Sequence, residues 1–322
     1  MNDDELRALP KAEVHVHLEG CFDVDTLVRL ARAAGEPLPR EPERLLELSG
    51  LGGFLDFLSW SCGLVRTRDD AAAAAYAYAR RAGASGAVAA DVIVNPTHWG
   101  AWRGDLAGLV DALDEGFSAA EQDGLPTVGL CLSVMRHQSG ADACELVDWM
   151  VDARHPRVVA LSVDGDERAT GPTGRRFAPA FEQAGAAGFG RTAHAGESSG
   201  PGGVVDALRL LGADRIDHGV RAIEHPEVVA ELVELGVPLG ICPSSNLVLG
   251  LYDRVEDHPI EALRAAGVRV SVGTDDPAFV GTDLVGELRR CIDAFGWSDE
   301  VVREVAATSL DACFRLSGVR SA

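Results

Sequence analysis

Short apolar runs alternate with longer stretches of helical spacing along the whole chain. Eight of the runs have the length and β-branched content of strands: 12–17, 87–94, 127–134, 157–163, 189–194, 214–218, 237–242 and 268–273. Between them lie segments whose apolar residues recur every three or four positions, such as 203–211, 226–235 and 259–266, and these predict helices. Regular strand–helix alternation predicts parallel strands with helices outside, and eight repeats predict a closed (β/α)8 barrel of the α/β class. An open doubly wound sheet is the competing architecture. It requires a glycine-rich phosphate turn after the first strand, and none follows 12–17.

The interval 20–86 is too long for one crossover. Leu45-Leu46 through Trp60 and Leu64 have amphipathic spacing, so this interval is expected to form a helical insertion over the C-terminal mouth, a lid. The alanine run 71–75 continues into Tyr76-Ala77-Tyr78-Ala79-Arg80-Arg81 and reads as helix, not as a linker. A separate small domain is the rival reading of 20–86, but its apolar content is low for an independent core. One domain spanning 1–322 is therefore expected.

In such a barrel, chemistry gathers where the strands end at the C-terminal face. The polar residues of this chain fall there. His15 and His17 close the first strand, His194 the fifth and His218 the sixth, while Asp275 follows the eighth. Side chains at i and i+2 of a strand point the same way, so His15 and His17 can present two imidazoles to one point. Neutral nitrogens with one carboxylate suit a borderline divalent ion such as zinc, with a position left for water. Such an ion activates that water near neutral pH, so the constellation reads as metal-assisted hydrolysis. Glu197, three residues past His194, is near enough to pass a proton, and Asp276 is a second carboxylate at the rim.

Composition narrows the alternatives. The net charge of −21 argues against nucleic acid or an anionic membrane surface as partner. No apolar run approaches the roughly 18 residues of a membrane span, and the acidic start Met1-Asn2-Asp3-Asp4-Glu5 has no signal core. Seven cysteines without a C-x-x-C pair fit a reduced, cytoplasmic protein. Lys11 is the only lysine, which excludes a P-loop. Gly196-Glu197-Ser198-Ser199-Gly200 fits a nucleophile elbow, but Gly200-Pro201-Gly202-Gly203 breaks the helix that should start at the serine. His17-Leu18-Glu19 fits half of a cytidine-type deaminase signature whose P-C-x-x-C half is absent. His98 beside Trp99 reads as a loop or lid contact, and Ser244-Ser245-Asn246 either as support for the mouth or as part of the site.

Taken in order, P-K-A-E-V-H-V-H-L-E-G (10–20), H-A-G-E (194–197), D-H-G (217–219), C-P-S-S-N (242–246) and T-D-D-P (274–277) resemble the adenosine deaminase family of the amidohydrolase superfamily. The resemblance runs from Leu9 to about Phe314. It implies one zinc per chain, held by His15, His17, His194 and Asp275. It implies that Glu197 protonates purine N1, and that His218 orients and deprotonates the zinc water. Asp276 would meet N7 and the backbone N–H of Gly165 would meet N3. The implied partner is a small purine base or nucleoside, and the implied reaction is deamination at C6.

The chain also departs from the adenosine-specific branch. Glu19 stands where that branch carries an aspartate that meets the ribose, and it would crowd that site or serve a different group. Asp217 replaces a glycine, and R-I-D-H-G-V-R (215–221) looks closer to adenine-deaminase-like relatives. Ala89-Ala90-Asp91-Val92-Ile93 lacks the tyrosine and arginine of a common strand-two pattern. Adenosine, adenine and modified adenine nucleosides are all open substrates on these residues. Two other functional classes compete: a hydrolase of the same superfamily acting on an amide, ester or phosphoester, and a purine-binding protein without turnover. The first would often use a strand-four lysine between two metals, which this chain lacks.

Overall fold

Eight parallel strands run in the order of the chain, each hydrogen-bonded to the next: β1 (Lys11–His17), β2 (Ala87–Val94), β3 (Thr127–Met135), β4 (Val158–Asp164), β5 (Gly190–Ala195), β6 (Arg215–His218), β7 (Leu239–Ile241) and β8 (Val270–Val272). The coordinates are a computed structural model that describes residues 1–47, 50–171 and 174–317. Helices fill the crossovers, and the expected ones appear at Gly202–Arg209, Pro226–Leu235 and Ile260–Ala265. The fold is the (β/α)8 barrel that the alternation predicts. Among the described residues no helix is long and apolar enough to cross a membrane.

The ring closes through the site itself. β8 ends at Val272, short of the predicted 273, and only an isolated parallel bridge joins Val16 to Asp275. There the N–H of His17 donates to the Asp275 carbonyl at 2.8 Å, and the N–H of Asp275 to the His15 carbonyl at 3.1 Å. Barrel closure and the position of Asp275 relative to both histidines are thus one set of backbone bonds.

β1 does not alternate evenly. A register shift between Glu13 and Val16 separates two uses of the strand. Below it, Glu13 accepts from Tyr78 Oη at 2.8 Å, on a flanking helix, and from Thr274 Oγ1 at 2.6 Å. Above it, His15 and His17 reach into the mouth. A bulge re-aims side chains in this way, and bulges favour barrel rims.

The interval 20–86 divides into parts with different jobs. The helix Arg68–Ala84 starts at a Thr67 cap and buries Ala71, Ala74, Ala75, Tyr78, Ala79 and Ala82. It lies so close to the helix Leu106–Gln122 that a side chain on Gly116 would come within 2.0 Å of the Ala72 carbonyl oxygen. This is the first crossover helix of the outer layer, not part of a lid. The helix Gly50–Gly63 is the segment that reaches the mouth, where Phe54, Leu55 and Leu58 line the cleft above the strand ends.

Beneath the mouth the barrel interior holds charge, and it reaches up to the site, where Asp217 Oδ2 lies 3.8 Å from His194 Nδ1. Arg215 and Asp91 pair at 2.8 Å, Arg215 and Asp217 at 3.3 Å, and all three are fully buried. Asp91 also accepts the N–H groups of Phe314 and Arg315, at 2.8 and 3.0 Å, which fixes the short helix Phe314–Ser317 across the floor.

Candidate active site

His15, His17, His194 and Asp275 converge in the mouth, each offering one ligand atom within 4.8 Å of the others. His194 Nε2 stands 3.2 Å from His15 Nε2 and 3.0 Å from His17 Nε2. Asp275 Oδ1 lies 3.5 Å and 3.4 Å from the same two nitrogens of His15 and His17. Four ligands around a zinc-like ion, each about 2.0–2.1 Å from it, stand roughly 3.3 Å apart in a tetrahedron. The donor set therefore fits such an ion in type and spacing. Burial and the neighbouring imidazoles hold His194 well below the ordinary histidine range, in the neutral form that can ligate.

Two of the four donor side chains are held by a hydrogen bond from behind, and a third by its backbone. His15 Nδ1 donates to the Gly240 carbonyl at 2.6 Å, which leaves its Nε2 with the lone pair. Ser245 Oγ donates to Asp275 Oδ2 at 2.6 Å, leaving Oδ1 to the cluster. The carbonyl of His194 accepts from Arg136, a buried arginine at the end of β3 that also donates to the Gly165 carbonyl at 3.1 Å. Only three non-glycine residues among those described have positive φ, and two are here: His218 at 67° and Asp275 at 62°. Strained backbone of this kind concentrates at functional sites.

His218 is oriented by a relay. The N–H of Ile260 donates to His258 Nδ1 at 3.2 Å, so His258 carries its hydrogen on Nε2 and donates to Asn246 Oδ1 at 3.0 Å. The amide of Asn246 then donates from Nδ2 to His218 Nδ1 at 3.3 Å. Neutral His218 is left with its N–H on Nε2, facing Glu197 Oε1 at 3.6 Å and Asp275 Oδ2 at 3.8 Å. Burial pushes His218 well below the ordinary range, which favours this neutral form.

Glu197 sits on a loop caged by another carboxylate. Glu167 Oε1 accepts the N–H of Gly196 at 3.0 Å, and its Oε2 accepts those of Glu197, Ser198 and Ser199 at 2.9, 3.0 and 3.3 Å. Ser198 therefore lies in this cage, and the next helix begins only at Gly202, so no nucleophile elbow forms. Burial, with Asp275 and Glu167 nearby, raises the Glu197 carboxyl to about 8. At neutral pH it is an acid with a proton to give. Asp276 is buried beside it, raised well above the ordinary range by burial and by Asp275. Asp276 Oδ1 has no hydrogen-bond partner among the described residues. Gly20 makes room for it, since a side chain there would fall 1.9 Å from Asp276 Oδ1.

A cleft at the strand ends opens onto these groups. His17, His194, Glu197, His218, Asp275 and Asp276 line one side of it, and Asp164, Gly165 and His98 also face it. Gly165 has φ +100°, a conformation that favours glycine. His98 Nδ1 lies 2.9 Å from Ser59 Oγ on the mouth helix, so this histidine both contacts the helix and faces the cleft. Glu19 is set behind the lining. Its Oε1 accepts the N–H of Asn95 at 2.7 Å and the indole N–H of Trp99 at 2.8 Å. Burial raises its carboxyl to about 7.

The sequence pattern of the family described as adenosine deaminase matches residues 10–320. The chain belongs to the adenosine deaminase family. Adenine deaminase of Bordetella parapertussis is 35% identical over 323 residues, covering 98% of this chain and 99% of that protein. The crystal structure of an adenine deaminase from Arthrobacter aurescens superposes with a TM-score of 0.89 at 30% identity, covering 97% of this chain and 98% of that one. An amidohydrolase from Burkholderia ambifaria with bound Zn also reaches 0.89, at 29% identity, covering 97% of this chain and 87% of that one.

Against this family background, the structure brings together every residue that the motifs point to, with Glu19 one layer back. It also adds Arg136, Asp164, Glu167, Asn246 and His258, which sequence patterns single out weakly or not at all. Asp164 and Glu167 flank the expected Gly165, and Asn246 ends the C-P-S-S-N motif, so proximity to a motif was their only signal. Arg136 and His258 stand in no motif.

Proposed function

We propose that this protein is a zinc-dependent aminohydrolase acting on a free 6-aminopurine, adenine foremost, and yielding the 6-oxopurine and ammonia. The observation that carries the reading is the convergence of His15, His17, His194 and Asp275 beside a buried Glu197 that holds its proton at neutral pH. A zinc ion held by those four donors would supply a polarised water as the attacking group. The Zn-bound relative supports that choice of metal. A single donor set among the described residues supports one ion per chain. A two-metal hydrolase is disfavoured, because Lys11, the only lysine, donates to the carbonyls of Leu6 and Leu9 at the far end of β1.

The chain's own groups then have distinct tasks. Glu197 gives a proton to ring nitrogen N1 as water oxygen adds to C6 and the ring loses aromaticity. Asp276, itself protonated, meets N7, and the Gly165 N–H meets N3. His218 presents N–H, not a lone pair, from Nε2, so it orients the water oxygen. This tautomer revises the base role that family resemblance implies, and the carboxylate of Asp275 takes the first proton instead. Asp275 passes that proton to the amino group, the C6–N bond breaks and ammonia leaves, while the oxygen stays on C6 and its remaining proton returns to Glu197.

Adenine is placed before adenosine on two grounds. A relative that covers nearly the whole chain is an adenine deaminase. Glu19, which stands where the adenosine-specific branch carries the aspartate that meets the ribose, is turned to Asn95 and Trp99 behind the cleft lining and does not offer a sugar that contact. The test is ammonia release by zinc-loaded protein from adenine, adenosine, 2′-deoxyadenosine and N6-modified adenines. Adenine is expected to exceed a kcat/KM of roughly 10⁴ M⁻¹s⁻¹, with adenosine about a hundredfold lower or worse. Preference for adenosine would overturn the free-base assignment, and no release from any purine would overturn the reaction.

A further inference from the structure

The cleft holds one carboxyl group that the reaction above does not use. Asp164 ends β4, faces the cleft and is 5% exposed. Its orientation is fixed by a chain of bonds that starts on the backbone. Thr97 donates from its N–H at 3.1 Å and from its Oγ1 at 2.6 Å, both to Asn95 Oδ1. That settles which end of the Asn95 amide is oxygen. The other end, Nδ2, therefore donates to Asp164 Oδ1 at 2.7 Å. The backbone N–H of Asn95 is in turn held by Glu19. Asp164 thus stands as an acceptor braced from behind, with Oδ2 directed into the cleft, 3.9 Å from His17 Nδ1.

If N1, N7 and C6 of the base meet Glu197, Asp276 and the metal cluster, as the proposed function requires, one ring donor of adenine is left. It is the imidazole N–H at N9, which every nucleoside lacks because the sugar is attached there. We infer that Asp164 accepts this N–H and is the residue that selects a free purine base over its N9-substituted forms. A substituent at N9 removes the donor and pushes carbon against a buried carboxyl that has no other ligand partner. Sites built around a substrate N–H or O–H reject analogues lacking it by about 10⁴–10⁵-fold. Glu19 braces Asn95 from behind the lining, whereas Asp164 contributes the chemical choice.

The experiment compares adenine with 9-methyladenine, whose methyl group is far smaller than ribose, in zinc-loaded wild-type protein and Asp164→Asn. The wild type is expected to favour adenine in kcat/KM by at least ~10³-fold, toward the range that a lost N–H contact gives. In Asp164→Asn, adenine is expected to fall about 10²-fold or more, chiefly through KM, while 9-methyladenine stays within a few-fold. Zinc per chain should be unchanged. A parallel fall for both compounds with loss of zinc would instead make Asp164 a brace for His17, overturning the inference. Should the variant fail to fold, the wild type still decides, since equal use of the two compounds would overturn it. The proposed function itself fails only if wild-type protein releases no ammonia from adenine. Activity on adenine without discrimination at N9 sinks this inference alone.

Discussion

The barrel buries charge in its mouth and in the layer beneath it that reaches the floor, and the two are built differently. On the floor, Arg215 sits between Asp91 and Asp217, and Asp91 is further capped by two backbone N–H groups. Arg215 faces both carboxylates, and its Nη1 also donates to the Ala312 carbonyl at 3.0 Å, while Nη2 alone of its nitrogens has no hydrogen-bond partner among the described residues. At the mouth, three imidazole nitrogens and a carboxylate oxygen converge at 3.0–3.5 Å, a set of electron-pair donors. Beside them, buried Asp276 Oδ1 and Glu19 Oε2 have no partner among the described residues. Burying polar groups without partners costs free energy, so a fold retains such groups where a ligand completes them. The floor is built to hold the barrel, and the mouth is built to be filled.

The contrast predicts that mouth substitutions remove function and spare the fold, while floor substitutions do the reverse. The largest effect is expected for Asp275→Ala: zinc is lost, ammonia release falls to background, and circular dichroism stays that of a folded barrel. Retained zinc would remove Asp275 from the donor set. Glu197→Gln should lower kcat by about 10²–10⁴-fold with zinc and melting temperature nearly unchanged. A near-normal kcat would end its role as the acid. The same group sets a pH limb: its protonated form predominates below about 8 and is lost above it, so kcat/KM should fall as pH rises through that value. A fall on the acid side alone would contradict this sign.

On the floor, Arg215→Met leaves two buried aspartates unpaired and is expected to destabilise the fold by about 3–5 kcal/mol in a denaturant titration. Turnover per folded molecule should change much less. Smallest is Ser245→Ala, which frees Asp275 Oδ2 and should weaken zinc binding by about 10–100-fold, measured by competition with a chelator. Full activity at saturating zinc would separate this loss from a loss of catalysis.

Much of this architecture is legible in the sequence, because strands buried on both faces read as apolar runs bounded by turns. All eight strands lie where those runs fall, although β7 and β8 are shorter than 237–242 and 268–273. β8 stops short because closure passes through Asp275 and the backbone of β1, which no local pattern reveals. The donor set is legible for a similar reason: each of its members ends or follows a strand. What stays hidden is long-range support. The relay from Ile260 through His258 and Asn246 to His218 joins residues whose partners depend on how three segments pack. Asp91, noted only for the tyrosine and arginine missing around it, proves to be the anchor of the floor. The interval 20–86 reads as one insertion because amphipathic spacing marks helices without saying which layer they join.

The central claim is that one ion on His15, His17, His194 and Asp275 turns the mouth into a deaminase. It is tested most directly by titrating metal-free protein with zinc while following hypoxanthine formation from adenine. The account predicts that activity rises in proportion to added zinc and saturates at one equivalent per chain. Saturation at two equivalents, or no hypoxanthine with zinc bound, would contradict it.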